Sequence, residues 1–450
     1  MSGYAEYREV NLPWLKTVPA HWEIRRNKNI FTEQKEIVGE RSADYTLLSL
    51  TLNGIIPRDM DGGGKFPESF DKYKIVKSGD MAFCLFDIDE TPRTVGLSGY
   101  NGMLTGAYTI MRVSNINARF IYYYYLALDN GKMLRPLYTG LRKTININTF
   151  QSTKVPVPPR EEQDQIVRFL DWKVSSINKL IRIRKRQIEE LEAIKRSSIG
   201  YLVMGQAQSI PQRDTEVSWV KTIPAHWNEE TLVQVAEEQQ ISNAGMVEDN
   251  LLSLSYGKII NKDINTTDGL LPSSFEGYQI VHDGNIILRL TDLQNDHKSL
   301  RTGLVTQTGI ITSAYTCLKV RHNILPEYLQ LQLHVADLCK VFYGMGGGVR
   351  QSIGFKEIRK LVIAIPPIEE QQHILDSVHS VEKPINRAIQ NNRDIIAELE
   401  DLKMRLISDA VTGKIDVRGI EIPEYEFVDE DNDNVDENLE QGADEPPEEE

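Results

Sequence analysis

The sequence predicts a mixed α/β fold built from two tandem, pseudo-repeated α/β domains. Each domain is followed by a long helix, and the two helices are expected to form a coiled coil. Two observations support this prediction. Residues 14–22 (WLKTVPAHW) return as residues 219–227 (WVKTIPAHW), and a long apolar periodicity typical of a coiled-coil helix occurs once in each copy.

The repeat extends along almost the whole chain, at an offset that stays between 204 and 208 residues. The further matches are residues 47–50 with 251–254, Phe70 and Tyr73 with Phe275 and Tyr278, residues 107–109 with 314–316, residues 161–163 with 369–371, and residues 190–192 with 398–400. Because the order and the spacing are the same in both copies, the chain is one unit duplicated in tandem.

Each copy ends in a predicted long helix, over residues 158–205 and 366–413. Paired prolines and two glutamates open each helix and a glycine closes it, as the helix dipole and the backbone freedom of glycine favour. Pro384, which has no counterpart in the first copy, is expected to kink or interrupt the second helix. The predicted seam residues are Val167, Leu170, Val174, Ile177, Ile181, Ile188 and Leu191 on the first helix, and Leu375, Val378, Ile385, Ile389, Ile396 and Leu399 on the second.

Two layers of the seam are polar in both copies: Arg184 with Asn392, and Lys195 with Lys403. Polar residues in a seam fix the register of a helix pair at a cost in stability. The alternative is that these layers are exposed or that the seam is imperfect. The pattern alone leaves both interpretations open.

The repeat and the helices together predict five segments. These are a first α/β domain over residues 1–156, a first helical spacer over 157–210, a second α/β domain over 211–364, a second spacer over 365–418, and an acidic disordered tail over 419–450. Apolar and β-branched runs predict strands at 46–52, 81–86, 108–113, 154–157, 315–320 and 361–365, and helices at 118–128 and 326–338.

The net charge of −14 resides in the tail. Residues 419–450 contain 15 acidic residues and no Lys or Arg, so the rest of the chain has 51 basic and 50 acidic residues. A nearly neutral body is compatible with a nucleic-acid partner, whereas an acidic tail is typical of disordered segments. Three scattered cysteines and the absence of a signal sequence or an apolar run of membrane-spanning length favour a cytoplasmic setting.

No catalytic signature is found in the sequence. It contains no phosphate-binding loop of the Walker type, no pair of metal-binding histidines and no nucleophile elbow. His21 and His226 recur in the repeat, but each precedes a tryptophan at the start of a domain, which favours packing over catalysis. No metal site is therefore predicted.

Candidate DNA-contact residues follow two short motifs that recur in both copies. One is an Arg-Thr pair ahead of a strand, and the other is a glycine-hinged loop with an arginine and polar neighbours. Arg and Gln suit the hydrogen bonding of base edges, and Lys, Thr and Ser suit phosphates, although an arginine in a surface loop is commonplace. The candidates are Arg93, Thr94, Arg142, Lys143 and Thr144 in the first copy, and Arg301, Thr302, Arg350, Gln351 and Ser352 in the second.

These motifs, in this order and occurring twice, resemble the specificity (S) subunit of type I restriction-modification systems. The motifs concerned are the Trp-to-Trp segment, the turn before a strand, the Pro-Pro and Glu-Glu-Gln helix start, and residues 409–415 (DAVTGKI). The resemblance covers the whole chain except the acidic tail, and the tail and Pro384 depart from the family pattern.

The resemblance implies a non-catalytic subunit whose two α/β domains are target-recognition domains, each reading one half of a bipartite site on double-stranded DNA. The two long helices would pack as an antiparallel coiled coil, set the spacer and dock two modification subunits, which bring S-adenosylmethionine and methylate adenine. Two restriction subunits that use ATP and Mg²⁺ could join the complex. Two alternatives remain: a duplicated protein-interaction scaffold with an acidic recruitment or DNA-mimic tail, and an enzyme with an unrecognised site.

Overall fold

A computed structural model describes residues 2–58, 67, 69–138, 140, 143–207, 210–264, 274–293, 296, 299–321, 323–345 and 352–429. The chain divides into two compact units. Unit 1 comprises Met1–Arg186 and Asn392–Glu450, and unit 2 comprises Gln187–Asn391. Each unit therefore contains one copy of the repeat and parts of both long helices. The five-segment division drawn from the sequence stays a prediction.

The first copy contains twelve strands and three α-helices among the described residues. The strands are β1 (Tyr7–Leu12), β2 (Leu15–Pro19), β3 (Glu23–Arg26), β4 (Phe31–Gln34), β5 (Leu48–Thr51), β6 (Gly54–Pro57), β7 (Lys74–Val76), β8 (Asp80–Phe83), β9 (Val95–Leu97), β10 (Gly102–Leu104), β11 (Thr109–Val113) and β12 (Lys154–Val157). The helices are α1 (Ala118–Asn130), α2 (Ile147–Ser152) and α3 (Arg160–Val203).

The second copy repeats this order with few changes. Its strands are β13 (Gln212–Asp214), β14 (Thr222–Pro224), β15 (Asn228–Thr231), β16 (Ala236–Gln239), β17 (Leu252–Ser255), β18 (Lys258–Asn261), β19 (Gln279–Val281), β20 (Ile286–Leu288), β21 (Thr302–Leu304), β22 (Gly309–Ile311), β23 (Thr316–Val320) and β24 (Val362–Ile365). Its helices are α4 (Leu232–Val235), α5 (Pro326–Leu338), α6 (Phe355–Ile358) and α7 (Ile368–Val411).

An antiparallel four-stranded sheet forms the centre of each copy. Its strand order is β4-β11-β8-β9 in the first copy and β16-β23-β20-β21 in the second. Met81, Ala82 and Phe83 on β8 are all buried, which explains why a short uninterrupted apolar run forms a central strand. Smaller two-stranded sheets surround it, among them the hairpins β5–β6 and β17–β18.

One helix packs on the core of each copy. Helix α1 begins at Ala118 because the Asn117 side chain accepts hydrogen bonds from the backbone N–H groups of Arg119 and Phe120. Its apolar face buries Phe120 and Tyr124. Helix α5 begins with Pro326, a residue whose fixed φ suits the first helical position. The predicted mixed α/β fold is confirmed, with strands and helices at the predicted places.

The two long helices begin two residues after the start of the predicted segments and end two residues before their glycines. Gly205 and Gly413 have positive φ angles of 66° and 74°, the conformation that ends many helices. Helix α7 continues through Pro384 from Ile368 to Val411. Of the two expected effects of Pro384, the interruption of the helix is therefore wrong, since packing along the rest of the helix offsets the loss of one backbone hydrogen bond, and the kink stays a prediction.

In unit 1, contacts between α3 and α7 pair rising residue numbers on one helix with falling residue numbers on the other. In unit 1, Asn178 Oδ1 accepts from Lys403 Nζ at 3.4 Å and Asn392 Oδ1 accepts from Arg184 Nη1 at 3.5 Å. In unit 2, Lys195 Nζ donates to Asn386 Oδ1 at 3.0 Å. The helices are therefore antiparallel in unit 1, and in both units a residue of a predicted polar layer lies at the contact between the helices.

The predicted seam residues are all buried or half-buried. Val167, Leu170, Ile177, Ile181, Leu375, Val378 and Ile389 are buried, and Val174, Ile188, Leu191, Ile385, Ile396 and Leu399 are half-buried. This burial favours the seam, and the supercoil of a coiled coil stays a prediction.

The segment after α7 corrects the prediction of a tail disordered from residue 419 onward. Residues 417–429, here called the C-terminal strap, lie against α3 in unit 1. The Ser175 hydroxyl donates to Glu426 O at 2.9 Å and accepts from Val428 N at 2.6 Å. Val428 is buried, and Gln165 Nε2 donates to the Val417 and Ile420 carbonyls. The apolar Ile420, Ile422 and Val428 make this docking possible, and residues 430–450 lie outside the described part of the chain.

No helix among the described residues combines the length and the apolar character needed to cross a lipid bilayer.

Candidate nucleic-acid interface

The Trp-to-Trp segment binds the first turn of the long helix in each unit. In unit 1 the Glu162 carboxylate accepts from Trp22 Nε1 at 2.9 Å and from the Tyr4 hydroxyl at 2.6 Å. The His21 Nε2 atom lies 2.7 Å from the same carboxylate. Burial and the bond to Glu162 raise the pKa of Tyr4, so its hydroxyl remains a donor.

Unit 2 reproduces this junction. Glu370 accepts from Trp227 Nε1 at 3.0 Å, and His226 Nε2 lies 2.8 Å from it. Both histidines thus bind a helix-start carboxylate, an arrangement that joins elements and agrees with the packing role expected from the sequence.

The glutamine that follows each of these glutamates connects the helix to the core. Gln163 donates to Pro158 O at 2.8 Å and accepts from Asn117 N at 2.8 Å, at the start of α1. Gln371 likewise donates to Pro366 O at 2.9 Å and accepts from Leu325 N at 2.8 Å. The Glu-Glu-Gln motif therefore fixes the angle between a long helix and its α/β domain.

The glycine at the end of each long helix completes the junction. A Cβ atom on Gly205 would clash with Pro224 and Trp227, and one on Gly413 would clash with Pro19. The end of one long helix, the start of the other and the Trp-to-Trp segment thus meet in each unit. The repeated motifs of the sequence therefore build a framework within each unit.

The first Arg-Thr pair is bound to the end of α1. Thr94 is 3% exposed, and its hydroxyl donates to Asp129 Oδ1 at 2.7 Å. Arg93 forms an ion pair with Asp129 at 3.3 Å and donates to Asn130 Oδ1 at 2.8 Å and to Leu52 O at 3.3 Å. The assignment of Thr94 to DNA contact is corrected, because its side chain is buried and bonded within the domain. Arg93 is engaged in holding the β5–β6 hairpin to α1.

The second pair is buried more deeply. Arg301 is 0% exposed and Thr302 is 0% exposed, so neither side chain reaches a ligand at the surface. The guanidinium of Arg301 donates to the Thr291 carbonyl at 2.8 Å, the Arg289 carbonyl at 3.1 Å and the Tyr343 hydroxyl at 3.0 Å, and also binds the Asp296 carbonyl. The DNA-contact assignment of Arg301 and Thr302 is therefore corrected: Arg301 organises the loop that follows β20.

The partner of both pairs is an aspartate at the matched position near the end of α1 or α5. Asp337 accepts from Arg301 N at 2.8 Å, as Asp129 accepts from Thr94 N at 3.0 Å. Burial raises the pKa of Asp337. Asp129 and Asp337 are 208 residues apart, which is also the distance between Arg93 and Arg301. This shared spacing was the sequence signal that the Arg-Thr pair has a partner within its own domain.

The remaining candidates belong to the glycine-hinged loops. Lys143 has a positive φ of 47° and lies 3.2 Å from Glu90 and 3.5 Å from Asp89, so acidic neighbours raise its pKa. Thr144 and Ser352 are exposed. Arg142, Arg350 and Gln351 lie outside the described residues, so their role stays a prediction.

Both glycine-hinged loops end at matched anchors beside the loop after the central strand. Ile145 N donates to Leu85 O at 2.8 Å, and Ile353 N donates to Leu290 O at 2.9 Å. In the first copy, Asp89 also accepts from the Tyr138 hydroxyl at 2.6 Å, which lowers the pKa of Asp89. The described residues around these two anchors form one surface in each copy, with different side chains in the two copies.

Sequence reasoning missed the two hairpins beside this surface. The tip of β17–β18 is Tyr256-Gly257, and the matched tip of β5–β6 is Leu52-Asn53. The available signal was a tyrosine replacing a leucine at a two-residue turn between short apolar strands.

Among the described residues, no group of three or more His, Cys, Asp and Glu side chains is arranged to hold a metal ion. Burial raises the pKa of Cys84 to about 11 and that of Cys317 to about 12, so both thiols are protonated at neutral pH.

Comparison with known proteins identifies the family. The family model described as the type I restriction modification DNA specificity domain matches residues 85–193 and 304–400, once in each copy. The chain is 23% identical over 424 residues to a putative type I restriction enzyme MjaX specificity subunit of Methanocaldococcus jannaschii, covering 89% of this chain and 95% of that protein. It is 22% identical over 442 residues to the MjaVIII specificity subunit of the same organism, covering 92% and 98%.

A solved structure, reported under the description of complex assembly and conformational transition of the type I R-M system, has the same fold. It superposes with a TM-score of 0.59 at 14% identity, over 88% of this chain and 99% of that chain. The double match of the family model, the near full-length relatives and the duplicated fold agree. The chain belongs to the specificity subunits of type I restriction-modification systems, the non-catalytic DNA-recognition components of those complexes.

Proposed function

We propose that each copy of the repeat reads one half of a bipartite DNA site and that the antiparallel helices set the spacer between the halves. The observation that carries the proposal is the contrast between framework and loops. Glu162 and Glu370 make the same bonds to His and Trp in the two units. The loops after β8 and β20 are stabilised by different side chains.

This contrast is what two readers of different half-sites require. A rigid framework places each surface, and variable loops on it supply different hydrogen-bonding groups. Successive major grooves on one face of B-DNA recur about every 34 Å, so two readers on a fixed spacer can engage one duplex together. Tethering raises the effective concentration of the second reader, so neither needs high affinity alone.

The partners follow from the family. A type I specificity subunit works with DNA and with other subunits of its restriction-modification complex. We propose two modification subunits, which dock on the helical pair, bring S-adenosylmethionine and methylate adenine. Restriction subunits that use ATP and Mg²⁺ would complete the nuclease form. We propose that this complex works in the cytoplasm, on genomic DNA.

Methylome sequencing tests the proposal directly. The chain is deleted from its host, and methylated bases are mapped in the wild-type, deleted and complemented strains. We expect adenine methylation at one bipartite motif to disappear on deletion and to return on complementation. Unchanged methylation in the deleted strain would contradict the proposed function.

A chimera separates the two readers. Residues 85–145 are replaced by the matched region of another specificity subunit with a different target, while residues 290–353 are kept. We expect one half of the methylated motif to change and the other half and the spacer to persist. A change in both halves would contradict the assignment of one half-site to each copy.

A further inference from the structure

The β17–β18 hairpin is a two-stranded ribbon with one buried and one outward face. Leu252, Leu254 and Ile259 pack into an apolar cluster with Val281 and Ile287. The register pairs Ser253 with Ile260 and Ser255 with Lys258, and these four residues occupy the other face. Lys258 is exposed and Ile260 is 42% exposed. The ribbon thus presents hydroxyl, apolar and cationic groups outward.

Tyr256 stands at the tip of this ribbon. It is 89% exposed, although aromatic rings usually contribute to stability by burial. Within the described part of the chain its hydroxyl makes no hydrogen bond. No hydrogen bond or burial among the described residues of unit 2 therefore explains the presence of a tyrosine at this position.

The backbone at Tyr256 is also unfavourable for that residue. Its φ is 47° and that of Gly257 is 76°, so both central residues of the turn are left-handed. Turns of this kind favour Asn-Gly, and a non-glycine residue with a bulky side chain costs about 1 kcal/mol in this region. A strained residue that is retained without an internal contact points to a role outside the fold.

The hairpin tip also packs closely against the segment that precedes Arg301. A Cβ atom on Gly257 would lie 3.2 Å from Leu300, in the segment directly before Arg301. Arg301 itself is held by the carbonyls of the loop after β20. The hairpin tip therefore lies against Leu300, next to the residue that holds the loop after β20.

We propose that the β17–β18 hairpin contacts the DNA half-site read by the second copy, with Tyr256 and Lys258 as its specificity-determining and affinity-determining side chains. The proposal rests on the proposed function. The major groove of B-DNA admits a two-stranded ribbon, a tyrosine can pack on a thymine methyl group or bond a base edge, and a lysine can bind a phosphate or guanine.

The first copy supplies a comparison within the chain. Its hairpin has Leu52 at the position of Tyr256 and Gly54 at the position of Lys258, and its outward serine, Ser49, matches Ser253. The scaffold is the same and the tip chemistry differs. That difference is expected of two hairpins that read unlike half-sites.

Tyr256→Asn is the decisive variant because it creates an Asn-Gly turn. We expect the purified complex with its modification subunits to keep or raise its melting temperature, since the new turn suits the left-handed backbone. The DNA for the binding assay carries the bipartite motif that methylome sequencing finds in the wild-type strain. At fixed salt, we expect the affinity of the variant complex for this DNA to fall about tenfold. The loss of affinity caused by base changes in the second half-site should become smaller than in the wild type. The loss caused by base changes in the first half-site should stay the same.

Two further variants complete the test. Lys258→Ala should weaken binding and reduce the slope of log affinity against log salt by about 1 if it binds a phosphate. Leu52→Ala, the matched control, should leave discrimination in the second half unchanged. Affinities and discrimination ratios within about twofold of wild type for both Tyr256→Asn and Lys258→Ala would overturn the inference and leave the proposed function intact. If the wild-type complex bound matched and mismatched half-sites equally well, both this inference and the proposed function would be overturned.

Discussion

Trp22 donates its indole N–H to Glu162 at 2.9 Å, and this bond joins the start of the first α/β domain to the start of α3. The pair returns in unit 2 as Trp227 and Glu370 at 3.0 Å. The bond is a framework contact, because both partners have matched positions in the repeat and neither belongs to a divergent loop.

Replacing Glu162 with alanine should destabilise unit 1. The change leaves the donors of Trp22 and Tyr4 buried without an acceptor, at a cost of about 1–3 kcal/mol for each unsatisfied group. Urea denaturation followed by tryptophan fluorescence measures the loss. Glu161→Ala is the control, since Glu161 is exposed in the same helical turn. Equal stability of the two variants would contradict the junction.

Arg301→Ala should lower the free energy of unfolding by about 3 kcal/mol, because several carbonyls of the loop after β20 lose their common donor. Thermal melting of the full chain measures this. Arg321→Ala is the control: its ion pair with Glu237 is half-exposed at 3.6 Å and is worth about 0–1 kcal/mol.

The same variants distinguish a structural arginine from a phosphate contact. If Arg301 bound a phosphate, its replacement would reduce the salt slope of DNA binding by about 1. We expect the Arg301→Ala protein that remains folded to bind DNA with the same salt slope as the wild type. A reduced slope with unchanged melting would restore the original sequence-based assignment.

His334 should make the stability of unit 2 depend on pH. Burial, together with the nearby Lys195, lowers the pKa of His334 to about 4, from an ordinary value of 6.5. The unfolded chain therefore binds a proton that the folded chain does not bind between these values. Stability is full above about pH 6.5 and falls as the pH drops towards 4, by at most about 3 kcal/mol.

The variant His334→Leu should remove this part of the pH dependence, and Leu126 occupies the matched position in the first copy. Urea midpoints at pH 4.5 and pH 7 measure the change. His373→Leu, at an exposed position on α7, should leave the difference between the two midpoints as it is in the wild type. A pH dependence equal in all three proteins would contradict the prediction.

The C-terminal strap should stabilise unit 1. Deleting residues 419–450 removes the buried Val428 and its hydrogen bond to Ser175, and should cost about 2 kcal/mol. Deleting only residues 430–450 removes most of the acidic charge and keeps the strap, which makes it the matched control. Calorimetry of the two deletions checks the prediction. An equal loss of stability in the two deletion proteins would show that the acidic charge, and not the C-terminal strap, is responsible.

The sequence by itself determined the duplication, the two long helices and the mixed α/β class. These features depend on local patterns: the helix starts at Pro158 and Pro366, the closing glycines and the apolar periodicity between them. Residues three and four apart in the sequence share a helix face whatever surrounds them. The family resemblance followed from the same local motifs.

Only the tertiary structure decided which arginines are available to a ligand. Arg301 looked like a surface residue because its partners, the carbonyls of the loop after β20 and the end of α5, come together only when the chain folds. The docking of Val428 on α3 connects residues 253 positions apart, and no local pattern encodes that distance. Burial depends on long-range packing, so the sequence identified the motifs and the fold decided which of them are framework.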